Sequence, residues 1–366
     1  MIEVQDIFRQ YGEDFLKTHS LSHVQSKAFR AICNCRTAAL GAHLDICDSC
    51  GFRKISYNSC RNRHCPKCQT FAKEQWIDKQ NQMLLNTQYF HVVFTVPEEL
   101  NPILLRYQET TYRLFFQAVS QTLLELCSDP KYLGATPGIT AVLHTWGQNL
   151  SFHPHIHCIV TGGGLTSAQQ WRSSRKNFFL PVKVLSRKFR GKFLAFLRQE
   201  DIAFPEIAYQ KNWVVYCKPP FRNASKTLEY LGRYTHRVAI SNNRILRLQD
   251  GKVTFSWRDY KDHHKEKIMT LSAVEFIRRF LLHILPSGFR KIRHFGILAS
   301  RNKSQRIILC RKLTHTHFQI SPELSTLDRL HKMLGPDFNL CPCCHVGHLA
   351  RASPVSKMSI PIHTSV

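Results

Sequence analysis

Acid is what this sequence is short of. Twenty-five Asp and Glu stand against fifty-one Lys and Arg, giving a formal net charge of +26 over 366 residues. The excess is spread along the chain and is not gathered into one basic tail. Such a field costs self-repulsion in the folded state, and phosphate backbones are the polyanion it most often serves. Long apolar runs are missing too: no stretch reaches the eighteen or so residues of a membrane helix, so no membrane span is expected. The opening MIEVQDIFRQ carries acidic residues and no apolar core, which speaks against a secretory leader. The expected setting is therefore the reducing cytoplasm. There, fourteen cysteines point to metal-bound and free thiols, not disulfides.

What is present describes a folded protein. A hydrophobic fraction of 43% with 11% aromatics is that of a globular chain, and the length suggests two or three domains. The first thirty residues carry apolar positions at roughly helical spacing. YFHVVFTVP reads as a strand closed by Pro97, ILLRYQETTYRLFFQAVSQTLLELC as a long amphipathic helix, and GITAVLHTW and HIHCIVTGG as strands joined by a polar segment. KFRGKFLAFLRQE is helical, NWVVYCKPP a short strand, and SKTLEYLGRYTHRVA a helix. RILRLQDGKVTFSWRDY forms a hairpin about Asp250-Gly251, and a helix follows at SAVEFIRRFLLHIL. The last sixty or so residues lose periodicity. Helices and strands mix without a βαβ rhythm, so the class is α+β. Expected boundaries are a helical segment at 1–30, a zinc-binding domain at 31–75, a catalytic domain at 76–300 and a basic tail with a cysteine cluster at 301–366.

Cys47-x2-Cys50 and Cys65-x2-Cys68 are two knuckles fourteen residues apart. Each turn sets two thiolates on one side, and two such turns complete a tetrahedral zinc shell. All-thiolate ligation leaves no open position, so the expected role is structural. Cys35, His43, Cys60 and His64 lie near enough in sequence to supply a second zinc. Arg53, Lys54, Arg61, Arg63 and Lys67 run through the module and suit DNA binding. Cys341, Cys343 and Cys344, with His345 and His348 close by, resemble half of a zinc ribbon without its other half.

SFHPHIHCIVTGGG sets histidines at 153, 155 and 157. Residues two apart in a strand share a face, so a His-x-His pair can share a cation. Pro154 lacks an amide donor and places His153 at the start of the strand, which leaves His155 and His157 as the better pair. Imidazole admits several divalent metals; with phosphate oxygens and water completing the shell, Mg2+ or Mn2+ is feasible. A third protein ligand is needed, and Gln148 lies where the partner strand approaches, with His91 and His144 as rivals. Tyr230 and Tyr234 stand four apart in LEYLGRYTHR, on one face of a helix. A phenol can attack a phosphodiester where a metal polarises the phosphoryl oxygens. By spacing alone a core aromatic stripe with Leu231 is the more frequent case, but Lys226, Arg233, His236 and Arg237 crowd this helix with positive charge and suit a backbone-binding surface.

The order of cysteine module, His-hydrophobic-His strand and Tyr-x3-Tyr helix resembles the two-tyrosine HUH transposases of rolling-circle insertion sequences. The resemblance runs through CRTAALGAHLDICDSCG, SYNSCRNRHCPKCQ, FHVVFTVP, HTWGQNLSFHPHIHCIV, YLGRYTHRVAISN and FIRRFLLHILPSGFRKIRHFG. It implies a zinc-binding domain ahead of an HUH endonuclease domain, an antiparallel sheet flanked by helices. It also implies His155 and His157 as metal ligands, with Gln148 chosen as the third, and Tyr230 and Tyr234 as nucleophiles. The implied activity nicks and rejoins single-stranded DNA at element ends and target through 5′-phosphotyrosine links, with host replication machinery as a partner. Rival readings are a rolling-circle replication initiator with the same chemistry, a metal-free tyrosine recombinase, and a zinc-dependent DNA-binding regulator without catalysis.

Overall fold

The computed structural model describes all residues except 178, 222–231, 233–237, 260, 261, 318–323, 336 and 356–366. Tyr230, Tyr234, Lys226, Arg233 and Arg237 thus lie outside the described residues. In chain order the first elements are α1 (Val4–Thr18), α2 (His23–Cys33), β1 (Ala42–Cys47), β2 (Arg53–Tyr57), α3 (Pro66–Asn81) and β3 (Tyr89–Thr95). Next come α4 (Asn101–Arg106), α5 (Gln108–Ser128), β4 (Thr136–Trp146), β5 (Phe152–Leu165), β6 (Trp171–Ser173), α6 (Val182–Gln199) and β7 (Val215–Phe221). Then follow β8 (Ile245–Gln249), β9 (Lys252–Asp259), β10 (Lys265–Ser272), α7 (Ala273–Leu281), β11 (Ile292–Gly296), α8 (Lys303–Leu313), α9 (Thr326–Leu334) and β12 (Leu349–Val355). Helices mix with antiparallel sheets, as the α+β reading anticipates.

These elements gather into two compact units, neither contiguous in sequence. The first takes Met1–Glu74, Ile240–Ile284 and Ile320–Val366; the second takes Gln75–Ala239 and Leu285–Gln319. The expected boundaries followed chain order, whereas the units interleave. The C-terminal segment is no appended tail, because β12 pairs with β1 from Ala42↔Val355 to Cys47↔Leu349. Nor is it structureless: it carries α8, α9 and β12, elements of eleven, nine and seven residues, too short to stand out along the sequence.

In the first unit the opening helical stretch is two helices. Ser22 caps α2 by accepting from the Gln25 amide at 3.3 Å, while the Gln25 side chain accepts from the Ser22 amide at 3.0 Å. This reciprocal pairing satisfies two donors that a helix start leaves orphaned. Phe8 of α1 stacks on Phe29 of α2 at 5.0 Å and meets Phe280 of α7 edge-on at 5.3 Å, so three helices share one aromatic contact. The hairpin of β8 and β9 turns at Asp250 and Gly251, both with positive φ. That geometry matches the twist of the strands and is nearly free of strain only with Gly or Asn/Asp there.

The second unit is built on a sheet ordered β11-β4-β5-β3-β7, with β6 on the far end of β5. One face is a continuous apolar layer of Phe90, Val92, Phe94, Ile139, Ala141, Leu143, Ile156, Cys158 and Val160. Helices α5 and α6 cover it, with Phe189 stacked on Phe115 at 5.5 Å and edge-on to Phe94 at 5.1 Å. Each such fully buried aromatic contributes on the order of 1.5–3 kcal/mol of transfer free energy. This packing is what holds the backbone of β3, β4 and β5 rigid. Alternation then obliges His91, His144, His155 and His157 onto the opposite face.

Candidate metal centres and active site

Strand β5 is central, flanked by β4 and β3. In the antiparallel register His144 stands directly opposite His155, and His157 opposite both Val142 of β4 and Val93 of β3. Residues opposite one another share a face with Cβ atoms about 5 Å apart. Three imidazoles therefore converge: His144, His155 and His157 each bring a ring nitrogen within 4.8 Å of the others. Ring centroids lie 4.7 Å apart for His155–His157 and for His144–His157, and 5.4 Å for His144–His155. His144 is buried, while His155 and His157 keep part of their rings open to solvent.

The tautomers follow from second partners. The His155 Nδ1 lies 2.7 Å from the His153 carbonyl oxygen, which can only accept, so Nδ1 carries the proton and Nε2 is left as a donor to metal. His157 Nδ1 meets His91 Nε2 at 2.9 Å. With Nε2 of His157 in the metal shell, its Nδ1–H donates to His91. Burial, with Lys218 and His155 nearby, pushes the His91 pKa down to about 3, so this imidazole is neutral and able to accept. Such outer partners fix ring orientation and raise ligand basicity. Replacing His91 with Ala is therefore expected to weaken divalent-cation affinity by roughly 10–100-fold. Calorimetric titration of Mn2+ into the variant checks this; unchanged affinity would mean that His91 only fills space.

The third ring of this cluster is His144, one of the two expected rivals of Gln148. Gln148 sits in the turn between β4 and β5, whereas His144 is fixed within β4 by strand pairing. Three neutral imidazoles suit a divalent cation and leave it its full charge, as an anionic phosphodiester requires. His153 is exposed at the start of β5 and outside the cluster; its carbonyl faces His155 Nδ1 and its ring lies 5.2 Å from the His155 ring, centroid to centroid.

The cysteines regroup more drastically. Cys47, Cys50, Cys65 and Cys68 do not share one site. Cys65 and Cys68 join Cys35 and Cys60, with all four sulfurs mutually within 4.8 Å. Cys68 Sγ lies 3.7 Å from Cys35 and 3.6 Å from Cys60, and Cys65 Sγ 3.7 Å from Cys35. Zn–S bonds of about 2.3 Å in a tetrahedron put sulfurs about 3.8 Å apart, so the set fits zinc. Cys47 and Cys50 instead face Cys341 and Cys344. The reason is the intervening hairpin. Cys47 is at its turn, where its amide donates to the Phe52 carbonyl at 2.9 Å. Cys35 and Cys60 are at its open end, where the Arg36 amide donates to Asn58 at 3.0 Å and Ala42 pairs with Tyr57. Five paired residues at about 3.3 Å each hold the two knuckles roughly 17 Å apart.

His43 and His64 belong to neither sulfur cluster. His43 Nε2 lies 3.5 Å from Asp45, whose other oxygen accepts from Ser56, and the His64 amide donates to Asn62 Oδ1 at 2.9 Å. Of the expected DNA-binding residues, Arg61 is exposed. Burial lowers the Arg63 pKa. Lys67 is turned inward, paired with Glu3 and donating to Gln5 Oε1 at 2.7 Å, which ties the zinc loop to α1. Sequence reasoning passed over a basic groove in the second unit lined by Arg113, Arg290, Arg293 and Lys303. No periodicity marks it, because its residues come from α5, β11, the loop before β11 and α8. Among the described residues, no helix is long and apolar enough to cross a membrane.

Comparison with known proteins adds two family matches. Residues 138–306, from β4 into α8, match a family described as "Putative transposase", and residues 7–96 match a "Transposase zinc-binding domain". A putative transposase of Sinorhizobium fredii is 46% identical over 373 residues, covering 95% of this chain and 94% of that protein. The transposase for an insertion sequence element of Pseudomonas savastanoi is 29% identical over 308 residues, covering 78% and 73%. No solved structure matches the chain.

Proposed function

The chain belongs to this transposase family, with its zinc-binding domain, and on that premise we propose that it nicks and rejoins single-stranded DNA through 5′-phosphotyrosine intermediates. The observation that carries the proposal is the convergence of His144, His155 and His157 on the central strand of an antiparallel sheet. In this reading the three histidines form the metal centre of an HUH-type endonuclease.

In this reading the three imidazoles hold Mg2+ or Mn2+. When bound, such a cation polarises the scissile phosphoryl oxygens and offsets charge that develops on them. His153 and His91 fix the ring tautomers, and the basic groove follows the strand's phosphates without reading bases. Tyr230 or Tyr234 supplies the nucleophile. Its phenolic oxygen forms a bond to phosphorus, the bond from phosphorus to the 3′ oxygen breaks, and that oxygen leaves as a hydroxyl with the phenolic proton. The phosphodiester bond energy is kept in the link to tyrosine, so the strand can be rejoined without another energy source. The freed 3′ end primes synthesis by the host replication machinery, which places the reaction in the cytoplasm at the nucleoid. The second tyrosine allows a second transfer at the target before the DNA is released.

The test uses a labelled oligonucleotide from an element end, incubated with the full-length protein and Mn2+ and run on a denaturing gel. A covalent protein–DNA adduct is expected, absent with EDTA and absent in the Tyr230→Phe/Tyr234→Phe variant. An adduct that persists in the double variant would assign the nucleophile elsewhere, and one indifferent to EDTA would remove the metal from the chemistry.

A further inference from the structure

Cysteines 341 and 344 lie beyond both matched family spans, and the site they enter is not part of the chemistry above. We infer that Cys47, Cys50, Cys341 and Cys344 hold a second structural zinc, drawn half from each end of the chain, which closes β1, β2 and β12 into a discontinuous zinc ribbon.

The sulfur geometry comes first. All four Sγ atoms lie within 4.8 Å of one another, with Cys47 to Cys344 at 3.7 Å and Cys50 to Cys341 at 3.6 Å. These are the edges of a tetrahedron around zinc, about 3.8 Å, and far from the 2.05 Å or so of a disulfide. Four thiolates and no imidazole leave no open position, so the site is structural and not hydrolytic.

Backbone donors come second. Ser49 and Cys50 amides approach Cys47 Sγ at 3.4 and 3.5 Å, the Cys343 amide approaches Cys341 Sγ at 3.4 Å, and the Gly347 amide approaches Cys344 Sγ at 3.3 Å. Both loops therefore aim N–H groups at sulfur, which orients the sulfurs toward a shared centre.

The third observation is that the loops are built against each other. Asp48 donates its amide to the His348 carbonyl at 3.2 Å and accepts the His348 amide on Oδ1 at 2.8 Å. A Cβ at Gly347 would fall 2.5 Å from Asp48 Oδ1 and Ser49 Oγ and 2.6 Å from Cys47 Sγ, so the C-terminal loop can close this tightly only with glycine there. Strand β12 then continues from the second loop along the free edge of β1. The zinc thus sits where two segments nearly 300 residues apart begin to pair. Cys343, between the two ligands, is exposed and outside the cluster.

The experiment is native mass spectrometry of the full-length protein purified with zinc under reducing conditions, combined with site-resolved alkylation. The ions are counted in a His155→Ala/His157→Ala background, which removes the imidazole cluster as a competing zinc site, and two zinc ions per chain are expected there. Iodoacetamide is expected to modify Cys343 readily, and Cys47, Cys50, Cys341 and Cys344 only after chelation. Cys341→Ser/Cys344→Ser should hold one zinc and expose the amides of β1 and β12 to hydrogen exchange, Cys344→His should restore the second ion, and Cys343→Ser should keep both. If the double serine variant does not fold, the wild-type alkylation map still decides. Modification of Cys341 and Cys344 as fast as Cys343 in the zinc-loaded protein would overturn the assignment, and so would disulfides between the two loops or a double variant that retains both ions.

Discussion

Alanine in place of both His155 and His157 is expected to abolish strand cleavage, with a loss of at least about 10³-fold in single-turnover rate. A cation at a phosphoryl centre supplies several kcal/mol of charge stabilisation, and each 1.36 kcal/mol is tenfold in rate. The rings lie on the less enclosed face of the sheet, away from the Phe-rich layer under α5 and α6, so their loss should leave the fold intact by circular dichroism. Single substitutions separate the remaining claims. His144→Ala should weaken Mn2+ binding as strongly as either motif histidine, because its ring is a member of the cluster. Gln148→Ala and His153→Ala should bind Mn2+ nearly as the wild type does; alanine at 153 loses the ring beside His155 and keeps the carbonyl that fixes its tautomer. Binding measured by calorimetry and cleavage measured on the same oligonucleotide give both readouts. Cleavage by the double variant with saturating Mn2+ would remove this site from the reaction. A larger effect at Gln148 than at His144 would return the third ligand to the turn.

What the sequence reveals about this site, and what it hides, has one physical cause. Alternation along a strand is local, so YFHVVFTVP and HIHCIVTGG announce both their conformation and the shared face of His155 and His157. Register between strands is not local. That His144 lands opposite His155, and His91 diagonal to His157, depends on where two pairings lock. Thus the pair is legible and the third ring of its cluster is not. The cysteines repeat the lesson: each CxxC knuckle is recognisable by itself, but its partner is chosen by a hairpin of known length and by a strand that returns from residue 349. Nearest in sequence proved the wrong guide because β1 and β2 carry the two knuckles to opposite ends. The long helix expected at 103–127 is divided at Tyr107, whose φ of −116° and ψ of 46° break the helical path between α4 and α5. The paired tyrosines, by contrast, rest on the helical spacing of LEYLGRYTHR and on the family.

Serine in place of Cys65 should do more than empty one zinc site: the first unit is expected to lose its cooperative fold. Structural zinc in small domains contributes an apparent binding free energy of about 10–16 kcal/mol, as large as the entire stability of a typical domain at about 5–15 kcal/mol. Cys65 and Cys35 are both buried, so the variant loses a ligand and leaves the remaining thiolates without the cation that offsets their mutual repulsion. The loss does not stay local. Gln5 of α1 donates to the carbonyls of Cys33 and Cys35 at 2.7 and 2.8 Å, and Lys67 beside the knuckle pairs with Glu3. The zinc loop therefore anchors α1, and α1 carries Phe8 into the contact with Phe29 and Phe280. Calorimetry should show the transition of this unit lowered by tens of degrees or lost. Cys158→Ser, buried in the core of the second unit, should keep its zinc and destabilise moderately by burying a hydroxyl, at a cost on the order of 1–3 kcal/mol. Chelation of the wild type should reproduce the Cys65→Ser trace. A Cys65→Ser protein that keeps full zinc and its melting profile would show that the four sulfurs pack as ordinary buried thiols, and the first unit would then owe its stability to the aromatic contact between α1, α2 and α7.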